Sequence, residues 1–182
     1  MVDKIIIRDA KTNELDPLLT INRLAFGSET EAALVRNLIL DPTAAPVISL
    51  LAFHDEKAIG HILFTRAVLQ QIPEANASIL APMAVIPEYQ NKGIGGLLIK
   101  EGLKRLMEMN VELVFVLGHI DYYPKSGFIN DAARFGFFAP YPIPEEAAAA
   151  WMVQELSDGA LKKYSGRVSC ADSLMQEQYW LE

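Results

Sequence analysis

With 182 residues, 51% of them hydrophobic and 21% charged, the chain is long enough for one domain with a sizeable core and too apolar for disorder. A net charge of −7 and a pI of about 5.0 disfavour a nucleic-acid backbone or an anionic membrane as main partner. Cys170, the only cysteine, excludes an intrachain disulfide and a Cys-based metal cluster, and it reads as a small hydrophobe rather than a nucleophile. The opening MVDKIIIRD lacks the apolar core of a signal peptide. The longest strongly apolar run, residues 47–53, is far short of the ~20 residues that span a bilayer. A cytoplasmic protein is expected.

Residues 4–8 predict a short strand of β-branched isoleucines. A helix follows from about Glu14, with Pro17 in its first turn and Leu18, Ile21, Leu24 and Ala25 on one face, and Gly27 ends it. Ser28 and Glu31 form a capping-box pattern that starts a second helix, which Asp41-Pro42 stops. Residues 47–53 and 58–69 predict two strands joined by a polar turn, and after a loop around residues 73–76 a third strand covers 77–85. From Leu97 a helix carries Lys100, Glu101, Lys104, Arg105 and Glu108 within an arc of roughly 140°, with Leu98, Ile99, Leu103 and Leu106 opposite. It should pack on a sheet, and the apolar strand 111–117 after it should pair parallel to the strand before it. Residues 134–144 predict a structured loop, the alanine-rich stretch 145–156 a helix begun by Pro144, and 166–171 a last strand.

The stretch from residue 81 to residue 103, APMAVIPEYQNKGIGGLLIKEGL, carries most of the chemistry. An apolar strand, a glycine-rich turn and a helix follow one another. Gly93, Gly95 and Gly96 let backbone N–H groups come close to a ligand at the positive end of a helix dipole, which suits a phosphate or pyrophosphate. A Walker P-loop is excluded, because Lys92 precedes the glycines and no Ser or Thr follows them. A dinucleotide fingerprint is excluded because Leu98 stands where the last glycine is needed. The remaining pattern, Val85-x-Pro87-x-x-Gln90-x-x-Gly93-x-Gly95-Gly96-x-Leu98, resembles the acetyl-CoA pyrophosphate loop of the GCN5-related N-acetyltransferases. With DYYPKSGF at 121–128, the proline-rich segment and WMVQELSDGAL, the chain also resembles a bacterial subgroup of predicted acetyltransferases of undefined substrate.

That resemblance implies an α/β (α+β) fold: a mixed twisted sheet whose central parallel strands splay apart, flanked by helices, with the coenzyme arm in the gap. It implies a single domain over 1–182, with a core at about 4–138 and a C-terminal helix and strand extension over 139–182. Acetyl-CoA is the implied cosubstrate. Met83, Ala84 and Val85 would hold its arm, and Gln90, Asn91, Lys92, Gly93, Ile94, Gly95 and Gly96 its pyrophosphate. Because coenzyme A is anionic, the site must be locally positive through backbone N–H groups and nearby Lys92, Lys100, Lys104 and Arg105. Tyr123, four residues before the Gly127-Phe128 pair, holds the position from which the family's tyrosine points at the coenzyme sulfur, and is the candidate general acid.

The expected reaction is direct attack of a primary amine on the thioester, without an acyl-enzyme. The acceptor would be a small molecule or a peptide, and the protein a monomer or homodimer that binds neither nucleic acid nor membrane. The base is open. Many family members carry a glutamate on the strand before the glycine loop, but residues 77–85 contain no acid. Glu29, Glu31, His119, Asp121 and a water chain are the candidates, and Glu31 is better explained as a cap. His54 reads as a solvated turn residue, while His61 is a packed histidine or part of the acceptor cleft. No histidine spacing suggests a metal site. A non-catalytic coenzyme A-binding sensor or interaction module on the same fold is the competing reading.

Overall fold

The computed structural model describes residues 4–181. Met1, Val2 and Asp3, part of the stretch read above for a leader, and Glu182 lie outside the described residues. The strands are β1 (Ile5–Asp9), β2 (Ile48–His54), β3 (Lys57–Leu69), β4 (Ile72–Val85), β5 (Leu113–Leu117), β6 (Phe137–Phe138), β7 (Trp151–Glu155) and β8 (Gly166–Cys170). The helices are α1 (Leu15–Phe26), α2 (Thr30–Leu40), α3 (Ile94–Glu108) and the short α4 (Ala160–Lys163). The sheet runs β1-β2-β3-β4-β5-β7, while β8 pairs with the far end of β3 and with β6. Among the described residues only β4–β5 and β6–β8 are parallel, so the sheet is mixed, as expected.

Alternation along β3 decides which helix covers which face. Gly60 and Phe64 meet α3, where Leu98 and Gly102 lie against them. His61, between them in sequence, points to the other face and meets α1. There its Nδ1 lies 3.2 Å from Asn22 Nδ2 and its Nε2 lies 2.9 Å from Ser49 Oγ. The Asn22 amide nitrogen also donates to the Leu18 carbonyl, so Nδ1 accepts from it and the imidazole proton sits on Nε2, donating to Ser49. The ring is fully buried, and desolvation pulls its pKa down from 6.5 to about 3. His61 is therefore a neutral tie between α1 and the sheet, and not part of an acceptor cleft. β1 joins the same helix through Arg8, whose two Nη atoms donate to the Glu14 carboxylate at 2.7 and 2.9 Å.

Three expectations are corrected. Residues 73–76 belong to β4, which begins at Ile72 after a tight turn at Gln70 and Gln71. Stretch 145–156 is not an α-helix: it forms a 3₁₀ turn at Glu145–Ala150 and then strand β7. Alanine propensity is a weak prior, and pairing with the whole of β5 overrides it, burying Trp151 in a stack on Phe115. The third concerns α3, which starts at Ile94 rather than Leu97, with Gly93 as its N-cap. The second helix does use Ser28 and Glu31 near its start, though with a different geometry from a full capping box. Ser28 Oγ accepts from the Thr30 N–H and donates to Glu31.

The C-terminal segment is pinned to α2. Asp41 accepts from the backbone and hydroxyl of both Thr43 and Ser173, which holds its carboxyl down at about 2. Trp180 is buried with its edge on Trp151 and its Nε1 donating to the Leu174 carbonyl.

The His61 tie predicts a pH dependence of stability. Its folded pKa lies below its unfolded one, so its contribution is present above about 6.5 and is lost as pH falls towards about 3. Urea unfolding should show the wild type losing ~2 kcal/mol through this group from about pH 7 to pH 5, a loss that His61→Gln removes. Identical pH dependence in the two proteins would show that the histidine is already ionised or exposed.

Candidate active site

The two central parallel strands pair at only three positions, Ala77↔Leu113, Ser78↔Val114 and Ile79↔Phe115. Beyond Ile79 they part. β4 stays with β3 but changes register: Leu80 pairs with Phe64 and Met83 with Ile62, so Ala81 and Pro82 bulge opposite Leu63. β5 meanwhile takes its antiparallel partners from β7 along its full length. The result is a wedge-shaped cleft of about 930 Å³ at the carboxyl ends of the strands. Ile79 to Met83 and Val85 line one side and Val116 to Ile120 the other.

α3 starts at the mouth of this cleft. The N–H groups of Ile94, Gly95 and Gly96 have no acceptor among the described residues, since the first backbone bond of the helix runs from Leu97 N–H to the Gly93 carbonyl. Three free donors at the positive end of a 15-residue helix form an anion cradle. The glycines divide the work. Gly93 alone has a left-handed φ, +81°, and it turns the chain into the helix. Gly95 and Gly96 are helical. A Cβ on Gly95 would lie 2.0 Å from the Tyr122 hydroxyl and 3.1 Å from the Met83 methyl, whereas a Cβ on Gly96 would meet nothing within 4 Å. Thus Gly95 makes room for Tyr122, whereas Gly96 faces open space.

The loop is braced from below. Gln90 Nε2 donates to the Val85 carbonyl at 2.8 Å, and Asn91 takes a positive φ of 61°. Met83, Val85, Gln90, Asn91, Gly93, Ile94 and Gly95 line the cleft. Ala84, Lys92 and Gly96 do not. Ala84 is buried opposite His61, Lys92 sits 5.2 Å over the Tyr89 ring, and Gly96 is on the surface. Arg105 is held by Asp9 and Glu101, so the positive character at the mouth comes from backbone N–H groups rather than from that arginine.

Tyr123 lines the cleft and is buried, edge-on to Phe128 and to Tyr122. It packs against Gly118, where any Cβ would stand 2.4 Å from its ring. Burial, with Tyr122 beside it, pushes its phenol well above 10. His119 is exposed and lines the cleft. Glu29 does not line it: its carboxylate pairs with Arg23. Glu31 does line it, together with Phe26 and Leu34 from the same helical pair. Leu174, Tyr179 and Trp180 close the cleft from the C-terminal side. Neither Tyr122 nor the individual wall residues Leu174, Tyr179 and Trp180 were singled out from the sequence. Tyr122 sits beside Tyr123 in the YYPKSGF motif, but the tail carries no motif. Cys170 is partly buried, with its thiol pushed up to about 12 by desolvation, far from a thiolate.

The acetyltransferase (GNAT) family model matches residues 15–128. The chain is 50% identical over 149 residues to the uncharacterised N-acetyltransferase YjhQ of Escherichia coli K12, covering 81% of this chain and 82% of that protein. It is 32% identical over 155 residues to the uncharacterised N-acetyltransferase YhbS of the same strain, with 85% and 87% covered. The crystal structure of E. coli YhbS in complex with CoA superposes with a TM-score of 0.85 at 28% identity, covering 95% of this chain and 93% of that one. A GNAT family acetyltransferase from Brucella melitensis, solved with acetyl-CoA, gives 0.75 at 23% identity over 94% and 98%, a likeness of fold.

The glycines of α3 give opposite predictions for stability. Gly102→Ala would put a Cβ 2.2 Å from the buried Phe64 ring and should cost about 1–3 kcal/mol in urea unfolding. Gly96→Ala, in open space, should be neutral or stabilising by up to ~1 kcal/mol. Equal losses at the two positions would contradict the packing described.

Proposed function

The chain belongs to the acetyltransferase (GNAT) family, and on that premise we propose that it moves the acetyl group of acetyl-CoA directly to a primary amine, without an acyl-enzyme. The observation that carries this reading is the cleft between β4 and β5 opening onto the free N–H groups of Ile94, Gly95 and Gly96. A pyrophosphate on those donors leaves the coenzyme arm to run into the cleft past Met83 and Val85. Unpaired backbone groups of β4 beyond Ile79 are the partners that an amide-rich arm needs.

The amine nitrogen attacks the thioester carbonyl, an oxyanion forms, the C–S bond breaks, and the nitrogen gives up a proton while the sulfur gains one. His119, the histidine that lines the cleft, takes the amine proton. Tyr123 serves the sulfur. A phenol pushed above its usual ~10 is a poor acid toward a thiolate of ~8.5, so full transfer in the ground state is uphill by more than ~2 kcal/mol. The same shift keeps the phenol protonated at every working pH. It acts as a fixed hydrogen-bond donor to the charge developing on sulfur and delivers its proton as the bond breaks.

Following free thiol release from acetyl-CoA with a panel of amines tests the reaction. Release that depends on the amine supports it, and coenzyme binding with no release for any amine would leave only a coenzyme-binding module. Tyr123→Phe should lower turnover by at least ~10²-fold with acetyl-CoA affinity little changed. An unchanged rate would remove the phenol from the mechanism.

A further inference from the structure

We infer that the amine accepted at this site is carried on an apolar body free of carboxylate and phosphate, and that Glu31 selects it. This rests on the acetyl-transfer reading and adds the class of acceptor. Away from α3 the cleft is walled by Phe26 and Leu34 of the first helical pair and by Leu174, Tyr179 and Trp180 of the C-terminal segment, with Glu31 among them. Among the described residues Glu31 is the only carboxylate that lines the cleft, and no lysine or arginine lines it.

Glu31 also stands without a counter-ion. Glu29, two residues earlier, is taken by Arg23, but no cation pairs with Glu31 among the described residues. Its one hydrogen bond comes from Ser28 Oγ to Oε2 at 2.8 Å, which leaves Oε1 unpaired. Position at the first turn of α2 explains why an acid is tolerated there. It does not explain why that acid faces a cleft of aromatic and aliphatic side chains with no cation to meet it.

The consequence for a ligand follows from charge and solvation. An ammonium arriving beside Glu31 finds a counter-charge, and its apolar body finds matching walls. A carboxylate or phosphate on the same body would lose water against those walls, gain no cation, and face a like charge. The C-terminal wall is held in place by the Asp41–Ser173 hydrogen bonds and the burial of Trp180, so the pocket is built rather than improvised.

The test uses the full chain and thiol release from acetyl-CoA with matched pairs, phenethylamine against phenylalanine and tryptamine against tryptophan. The wild type should prefer the plain amines by at least ~10-fold in kcat/KM. Glu31→Gln should narrow that ratio and Glu31→Lys should reverse it, each with acetyl-CoA affinity unchanged. Carboxylated amines used as well as the plain ones, or a ratio that neither substitution moves, would overturn the assignment of Glu31 while leaving acetyl transfer standing. No release with any amine in the presence of bound acetyl-CoA would overturn the transfer reading and this inference with it.

Discussion

The divergence of β4 from β5 is the constraint on which the rest of the structure depends. The strands share three register positions and then each is claimed by its outer neighbour, β4 by β3 and β5 by β7. Those outer pairings hold each strand in place, while the inner edges that meet at Ile79 and Phe115 part beyond them. The bulge at Ala81 and Pro82 turns β4 away while keeping it in the sheet. Backbone groups along the gap are thereby left for something other than protein, at the carboxyl end of a parallel pair where ligands of α/β sheets bind.

The helices serve that gap from two sides. On one face, α3 is drawn onto β3 by the fit of Gly102 to Phe64 and of Leu98 to Gly60, and this sets its N-terminus at the mouth of the cleft. On the other face, the neutral His61 bridge seats α1, and α1 and α2 together present Phe26, Glu31 and Leu34. The tail reaches the same cleft alongside α2 because Asp41 fastens Ser173 and Thr43 at once. A site with a coenzyme side and an acceptor side thus emerges from elements distant in sequence.

The element order and the parallel β4–β5 pair were legible, because short apolar runs, Gly27, Asp41-Pro42 and the glycine-rich turn each carry a local physical signal. The helix expected over 145–156 failed because its alanines report local preference, whereas β7 is made by an unpaired edge of β5 that only tertiary structure reveals. The loop residues were legible as a group, but their division of labour was not. That Gly95 accommodates Tyr122 while Gly96 faces open space depends on where a loop 27 residues after Gly95 folds back. For the same reason sequence alone favoured Glu29 and set Glu31 aside as a cap, although Glu31 faces the cleft and Glu29 an arginine.

The most direct measurement is a crystal structure of this chain with acetyl-CoA or CoA bound. The pyrophosphate should accept hydrogen bonds from the N–H groups of Ile94, Gly95 and Gly96, and the arm should lie between β4 and β5 with its sulfur next to Tyr123. A coenzyme bound elsewhere, or with its sulfur outside the gap and remote from Tyr123, would contradict the proposed site.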